Sequence, residues 1–272
     1  MIRVEEKQLI GKRPDQRLCE DGIFVGEHFA AVVDGVTSKG VRRWRDGLSG
    51  GGLAKEIVLE TLAAMPADVS CETFFDKLDK ALRDACGDII SENEPQERPR
   101  ACVAAYSRYH REIWLLGDCA FMVNGRLFTN GKPIDDILSG LRAMVIEEAL
   151  KKGMTEQEIA ANDVGRAAIA PFFRTQFSFE NDPRSYFGYG VLNGQGVAHD
   201  LIIRHAVAPG DTVVLASDGY PVLCDTLAES EARLAELLAK DPLCFRANRT
   251  SKGVLPGNRS FDDRAYLKFV VE

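Results

Sequence analysis

The sequence predicts an α+β fold built in layers. Two observations carry that expectation. Apolar, β-branched runs end abruptly in acidic dipeptides, as buried strands do when they deliver a carboxylate to a sheet edge. Amphipathic helical stretches come in groups instead of alternating one by one with the strands. A third observation bears on extent: 272 residues can bury a sizeable core, and no repeat or low-complexity linker divides them. A single domain over 1–272 is the simplest organisation.

Along the chain, Phe29-Ala-Ala-Val-Val33 reads as a strand that runs into Asp34-Gly35. A glycine turn, Ser49-Gly-Gly-Gly52, opens a helix in which Leu53, Ile57, Val58 and Leu62 recur at spacings near three and four. No Gly-Lys-Ser/Thr follows the glycines, so they read as a tight helix entry and not as a phosphate loop. A second amphipathic helix is predicted from Cys71 to about Ser91, with Phe74, Phe75, Leu78, Leu82, Cys86 and Ile89 on its apolar side. A charged, proline-containing loop at 92–100 closes that unit. Strands follow near 101–108, 112–116 and 120–123, and Asn124-Gly125 signals a hairpin into 127–129.

The stretch 133–170 turns helical, with Thr155-x-x-Glu158 as a capping box. Strands are predicted again at about 186–192, 199–207 and 212–217. Thr226-x-x-Glu229 caps a further helix in which Leu234, Leu237 and Leu238 face inward and which Pro242 ends. A last strand covers about 265–271.

Composition narrows the function classes. Hydrophobic content of 45% and charged content of 28% suit a soluble globular protein. A net charge of −7 argues against nucleic acid or an anionic membrane as the main partner. No apolar segment is long enough for a membrane span, and the first residues lack an apolar signal core, so a cytoplasmic location is expected. Seven dispersed cysteines without a Cys-x-x-Cys pair suggest reduced thiols. His28, His110, His199 and His205 show no metal-ligand spacing, and no Gly-x-Ser-x-Gly marks a serine hydrolase.

The acidic dipeptides carry the chemistry. Ile113-Trp-Leu-Leu116 leads into Gly117-Asp118, and Thr212-Val-Val-Leu-Ala216 leads into Ser217-Asp218-Gly219. Glu20-Asp21 stands near the start, and Asp262-Asp263 directly precedes the last strand. One Asp-Gly pair after a strand is more often a turn than a ligand. So many carboxylates at one sheet end would repel one another unless a cation neutralised them. Oxygen donors without Cys or His favour a hard divalent ion such as Mg²⁺ or Mn²⁺.

In their order, Glu20-Asp21, Asp34-Gly35, Gly117-Asp118, the run from Pro209-Gly-Asp to Ser217-Asp218-Gly219, and Asp262-Asp263 resemble the metal-dependent protein phosphatases of the type 2C serine/threonine family, in a divergent bacterial form. The resemblance implies a four-layer α-β-β-α sandwich of two mainly antiparallel sheets flanked by helix pairs, with a metal site at one end. A variable helical flap is implied at about 133–186. Two divalent cations, Mg²⁺ or Mn²⁺, would share a hydroxide that attacks phosphoserine or phosphothreonine in proteins. Asp34 would bridge both metals, Gly35 would lend its carbonyl, and Asp218 and Asp262 would complete one shell. Glu20 and Asp21 would reach the metals in part through water. Asp118 matches the position that helps hold a third, weaker metal. The implied partners are a phosphorylated protein and a serine/threonine kinase.

Several positions depart from the family. The phosphate-gripping Arg, four residues before the Glu, is Gln16; Arg17 and Arg13 flank it, and Arg17 is the candidate. Val36 replaces the His that many members carry after Asp-Gly. Val222 replaces an acidic residue, and Asp263 stands where many members have Asn. Two alternatives stay open: a catalytically silent domain that binds a phosphorylated or regulatory partner, and a hydrolase of small phosphorylated metabolites. The retained Asp34, Asp218 and Asp262 favour catalysis.

Overall fold

The computed structural model describes residues 2–87 and 94–272. Ile89 and Ser91, assigned above to the second helix, and the start of the 92–100 loop lie outside the described residues.

Strand β3 (Phe29–Gly35) shows why the fold is layered. Its alternate residues Phe29, Ala31 and Val33 pack under helices, while Ala30 and Val32 face a second sheet. A strand buried on both sides has no polar alternation, as the sequence of this one shows. With β2 (Asp21–Val25), β4 (Ala101–Ser107), β5 (Glu112–Leu116) and β8 (Ile203–Ala206) it forms an antiparallel sheet in the order β2-β3-β4-β5-β8. The other sheet, also antiparallel, runs β1-β10-β9-β6-β7. Its strands are β1 (Val4–Ile10), β6 (Ala120–Val123), β7 (Arg126–Thr129), β9 (Thr212–Ala216) and β10 (Arg264–Val270).

Between the sheets lie Val32, Tyr106, Leu115, Phe121, Leu215 and Phe269, all essentially sealed from solvent. Each such side chain contributes about 1.5–3 kcal/mol by leaving water. Helices α1 (Gly50–Ala63) and α2 (Cys71–Cys86) cover the outer face of the first sheet, where Phe74 packs on both Phe29 and Trp114. The opposite outer face is covered by Tyr220, Leu223 and the start of α7 (Leu227–Lys240). The four layers follow the expectation, with a single helix where a second pair was expected.

The Asn124-Gly125 hairpin forms with both residues at positive φ, and the Thr155–Glu158 capping box closes at the start of α4 (Glu156–Ala161). The expected strand at 186–192 is absent: Tyr189 and Leu192 make only isolated bridges, to Glu180 and Ala101. Close packing of Gly188 against the carbonyl of Asp182 turns that segment away from a ladder. The strand expected over 199–207 shortens to β8, behind a 3₁₀ turn at His199–Leu201. The 133–170 stretch is α3 (Pro133–Lys151), α4, and α5 (Val164–Ile169), followed by the short α6 (Phe172–Thr175). All seven cysteines are unpaired.

Candidate metal and phosphate site

Both sheets end their acidic strands at the same edge of the sandwich. Asp34 closes β3, and Asp21 opens β2 directly opposite it in the ladder. Asp118 lies in the turn between β5 and β6, Asp218 follows β9, and Asp262 precedes β10. The backbone is drawn tight here. A Cβ on Gly35 would stand 2.2 Å from the carbonyl oxygen of Gly51, so the N-terminus of α1 can reach the end of β3 only through glycine. Ser49 caps α1, accepting from the Gly52 N–H and donating to Glu20 Oε1 at 2.5 Å.

Asp34, Asp118, Asp218 and Asp262 line one open cavity of about 940 Å³. Lys39, Lys132, Arg249 and Lys252 line the same cavity, so acidic and basic groups share one lining. The helical segment contributes Asp135, Asp136 and the buried Ser139, Phe173 and Gln176 to its lining. A smaller cavity of about 560 Å³ adjoins it and shares Val36, Lys39, Asp118, Lys132 and Gln176.

The carboxylates fall into two groups. The side chains of Asp34 and Asp218 have no hydrogen bond or ion pair among the described residues, and Asp118 Oδ1 is buried without a partner. Lys132 comes no nearer to Asp118 than 3.8 Å. Burial, with the charges of Asp21, Asp118 and Asp262, pushes Asp34 well above the usual carboxylate range. Asp218 faces the cavity's solvent yet sits deep among protein atoms, and that burial together with Asp34, Asp262 and Asp118 raises it too.

The second group is already satisfied. The Lys12 ammonium lies 3.2 Å from Glu20, 2.9 Å from Asp262 and 3.1 Å from Asp263. Lys252 holds the other oxygen of Asp262 at 2.5 Å. Burial works against ionisation of Asp262, but Lys252 and Lys12 outweigh it and hold that carboxyl below the usual range. Asp21 is buried and accepts from Ser217 Oγ at 2.6 Å. Asp263 accepts from the backbone N–H groups of Lys12 and Glu20, which pins the loop that carries the Glu20-Asp21 pair.

Whether these residues fit a divalent cation follows from the donor set. Among the described residues, no three His, Cys, Asp or Glu side chains converge into a ready-made cage. The uncompensated oxygens of Asp34, Asp118 and Asp218 nevertheless have the hardness and charge such an ion requires. Glu20 and Asp262 differ, because protein donors already occupy both of their oxygens, and Asp21 has one oxygen engaged by Ser217.

Arg17 stands apart from the cavity. Its side chain is 90% exposed and forks onto Asp15, because the 3₁₀ turn Gln16–Leu18 directs it outward. None of the four histidines lines the cavity: His199 meets Asp76, His110 meets the Val69 carbonyl, and His205 packs on Phe128. The basic residues that do line it are single lysines and one arginine in loops, without a motif of their own. The available signal was position, since Lys12 follows β1 and Lys39 follows Asp34-Gly35 within one short loop.

No family model and no curated protein matches the chain. Solved structures do match along its length. The serine/threonine phosphatase PstP/Ppp of Mycobacterium tuberculosis is 17% identical over 100% of this chain and 99% of that one, with a TM-score of 0.49. A serine/threonine phosphatase of S. agalactiae is 14% identical over 98% and 99%, also at 0.49. RsbX in complex with magnesium is 12% identical over 100% of both chains, at 0.46. Likeness at this level carries no argument about function, which has to rest on the chain's own residues.

Proposed function

We propose that the chain is a metal-dependent phosphomonoester hydrolase of the type 2C kind, acting on phosphoserine and phosphothreonine in proteins. One observation carries the reading: carboxylates without a close partner and four basic side chains line a single cavity at the shared end of two sheets. A divalent cation on Asp34, Asp118 and Asp218 would activate water and offset phosphoryl charge. The Gly35 carbonyl lies at the same strand end.

The chain's own groups account for binding and orientation. Lys39 has no carboxylate partner among the described residues, and its ammonium lies 5.1 Å from the centre of the Phe173 ring. With Arg249 across the cavity it takes the phosphate-holding role expected of Arg17. Val36 lines the wall and cannot donate a proton, so the leaving alkoxide must draw one from water. Phe173 and Gln176 are buried in the cavity lining, where they would shape the pocket around the phosphorylated residue. A serine/threonine kinase would supply that substrate. Among the described residues no helix is long and apolar enough to cross a membrane, and a cytoplasmic setting suits the reading.

A second reading has its own support. The ammonium groups of Lys12 and Lys252 already neutralise Glu20 and Asp262, as they would in a silent domain that only binds phosphate. Turnover of p-nitrophenyl phosphate and a phosphothreonine peptide, with Mn²⁺ or Mg²⁺ and then with chelator, separates the two. Cation-dependent release of phosphate from both substrates supports the enzyme. Phosphopeptide binding without turnover supports the silent domain, and better turnover of sugar phosphates would move the substrate to small metabolites.

A further inference from the structure

The Lys12 ammonium is enclosed by oxygen. Glu20 Oε2, Asp262 Oδ1, Asp263 Oδ2 and Thr37 Oγ1 surround it at 2.9–3.2 Å, and its side chain is only 6% exposed. Four oxygens, three of them anionic, around one small buried positive centre is an environment that a metal cation would also satisfy. We propose that Lys12 stands permanently in the place of one cation of a binuclear centre, so that the cavity takes a single divalent ion on Asp34, Asp118 and Asp218. The proposal rests on the cavity being a cation site, and it revises the number of ions from two to one.

Charge and anchoring both support it. On the Lys12 side, three carboxylates face the two ammonium groups of Lys12 and Lys252, leaving little charge for a further ion. On the other side, Asp34 and Asp218 make no ion pair among the described residues, and Asp118 meets only Lys132, at 3.8 Å. Lys12 is held in place through its backbone as well, since its N–H donates to Asp263 at 2.7 Å. Asp263 in turn fixes the Glu20 N–H at 3.1 Å, so the cage and its occupant are one hydrogen-bonded unit. A second divalent ion could enter only by expelling a charged group from that unit. The ionic, fully liganded ammonium also explains why Asp263 is an acid: with a neutral amide there, Lys12 would lose one of its three counter-charges.

Equilibrium dialysis and low-temperature electron paramagnetic resonance with Mn²⁺ test the proposal on the intact chain. The wild type should bind one Mn²⁺ with the spectrum of an isolated ion. Lys12→Met should bind two and show the spectrum of a spin-coupled pair, while Lys12→Arg should stay at one. Lys12→Gln, which keeps a donor toward Glu20, takes the place of Lys12→Met if the apolar variant does not fold. Two coupled ions in the wild type would overturn the proposal and leave the proposed function standing. One ion in a folded Lys12→Met or Lys12→Gln would also overturn it. No Mn²⁺ in the wild type would instead overturn the cation site itself.

Discussion

Ser217 donates from its hydroxyl to Asp21 Oδ2 at 2.6 Å, and this bond ties the two sheets together beneath the carboxylate cavity. Ser217 follows β9 in one sheet, while Asp21 opens β2 in the other. The same hydroxyl accepts the Ala265 N–H at 2.8 Å, so one side chain also fixes the start of β10. Ser217→Ala leaves a buried carboxylate and a buried N–H without their partner. The expected loss is about 1–3 kcal/mol of stability, read from urea unfolding of the cation-free protein. An unchanged unfolding midpoint would show that the clip contributes nothing.

Lys39 should show opposite effects on stability and binding. Burial, with the nearby charges of Lys252, Arg166 and Lys132, lowers its ammonium from 10.5 to about 7. Lys39→Met should therefore stabilise the cation-free protein near pH 7, on the order of 1–3 kcal/mol, and weaken its hold on inorganic phosphate. Between pH 7 and 10.5 the unfolded chain keeps the Lys39 proton that the folded chain has released. Wild-type stability thus gains on that of the variant as pH rises through this window. Thermal unfolding at pH 7 and pH 9.5, with phosphate titrations at pH 6 and pH 8, reads both effects. A variant less stable than the wild type at pH 7 would contradict this account of Lys39.

Arg142 anchors the helical segment that begins with α3. Fully buried on α3, it pairs with Asp163 at 2.6 Å and donates to the carbonyls of Leu243, Cys244 and Thr250. It thereby fastens α3 and α5 to the loop that brings Arg249 and Lys252 into the cavity. Arg142→Leu takes a buried counter-charge from Asp163 and a donor from three carbonyls, a loss of about 3 kcal/mol or more that should fall locally on this unit. Hydrogen exchange should rise in the 243–252 loop, and turnover of a phosphopeptide should fall further than that of p-nitrophenyl phosphate. Equal loss on both substrates would mark the segment as part of the general scaffold.

The strands that carry Asp34, Asp118 and Asp218 were legible because burial on both faces leaves uninterrupted apolar runs that stop at an acid. β1 was not legible. Its half-buried positions Glu6 and Gln8 face α7, are polar, and bond to the Leu227 N–H and to Glu231, so no apolar alternation marks the strand. β2 is short and opens on the buried Asp21, which reads as a turn. The 186–192 run is apolar enough for a strand, yet close glycine contacts spend it on packing over the end of β4. In the site, sequence identifies the acids but not their counter-ions. Lys12, Lys39 and Lys252 are single residues in loops, and only the fold shows that Lys12 reaches across to Asp262. Arg17 points away from the cavity for the same reason: nearness in sequence to Glu20 does not set the direction of a side chain in a 3₁₀ turn.

The central claim is that Asp34 holds a catalytic divalent cation, and Asp34→Asn tests it most directly. The substitution keeps the shape of the side chain and removes the charge. Its effect is best read as turnover of a phosphothreonine peptide by wild type and variant, side by side, at saturating Mn²⁺ and after chelation. The account predicts wild-type turnover that chelation abolishes. It predicts a loss of roughly 10²–10³ or more in the folded variant, on the scale of removing one preorganised electrostatic group. Wild-type turnover in Asp34→Asn, or activity that survives chelation, would contradict it.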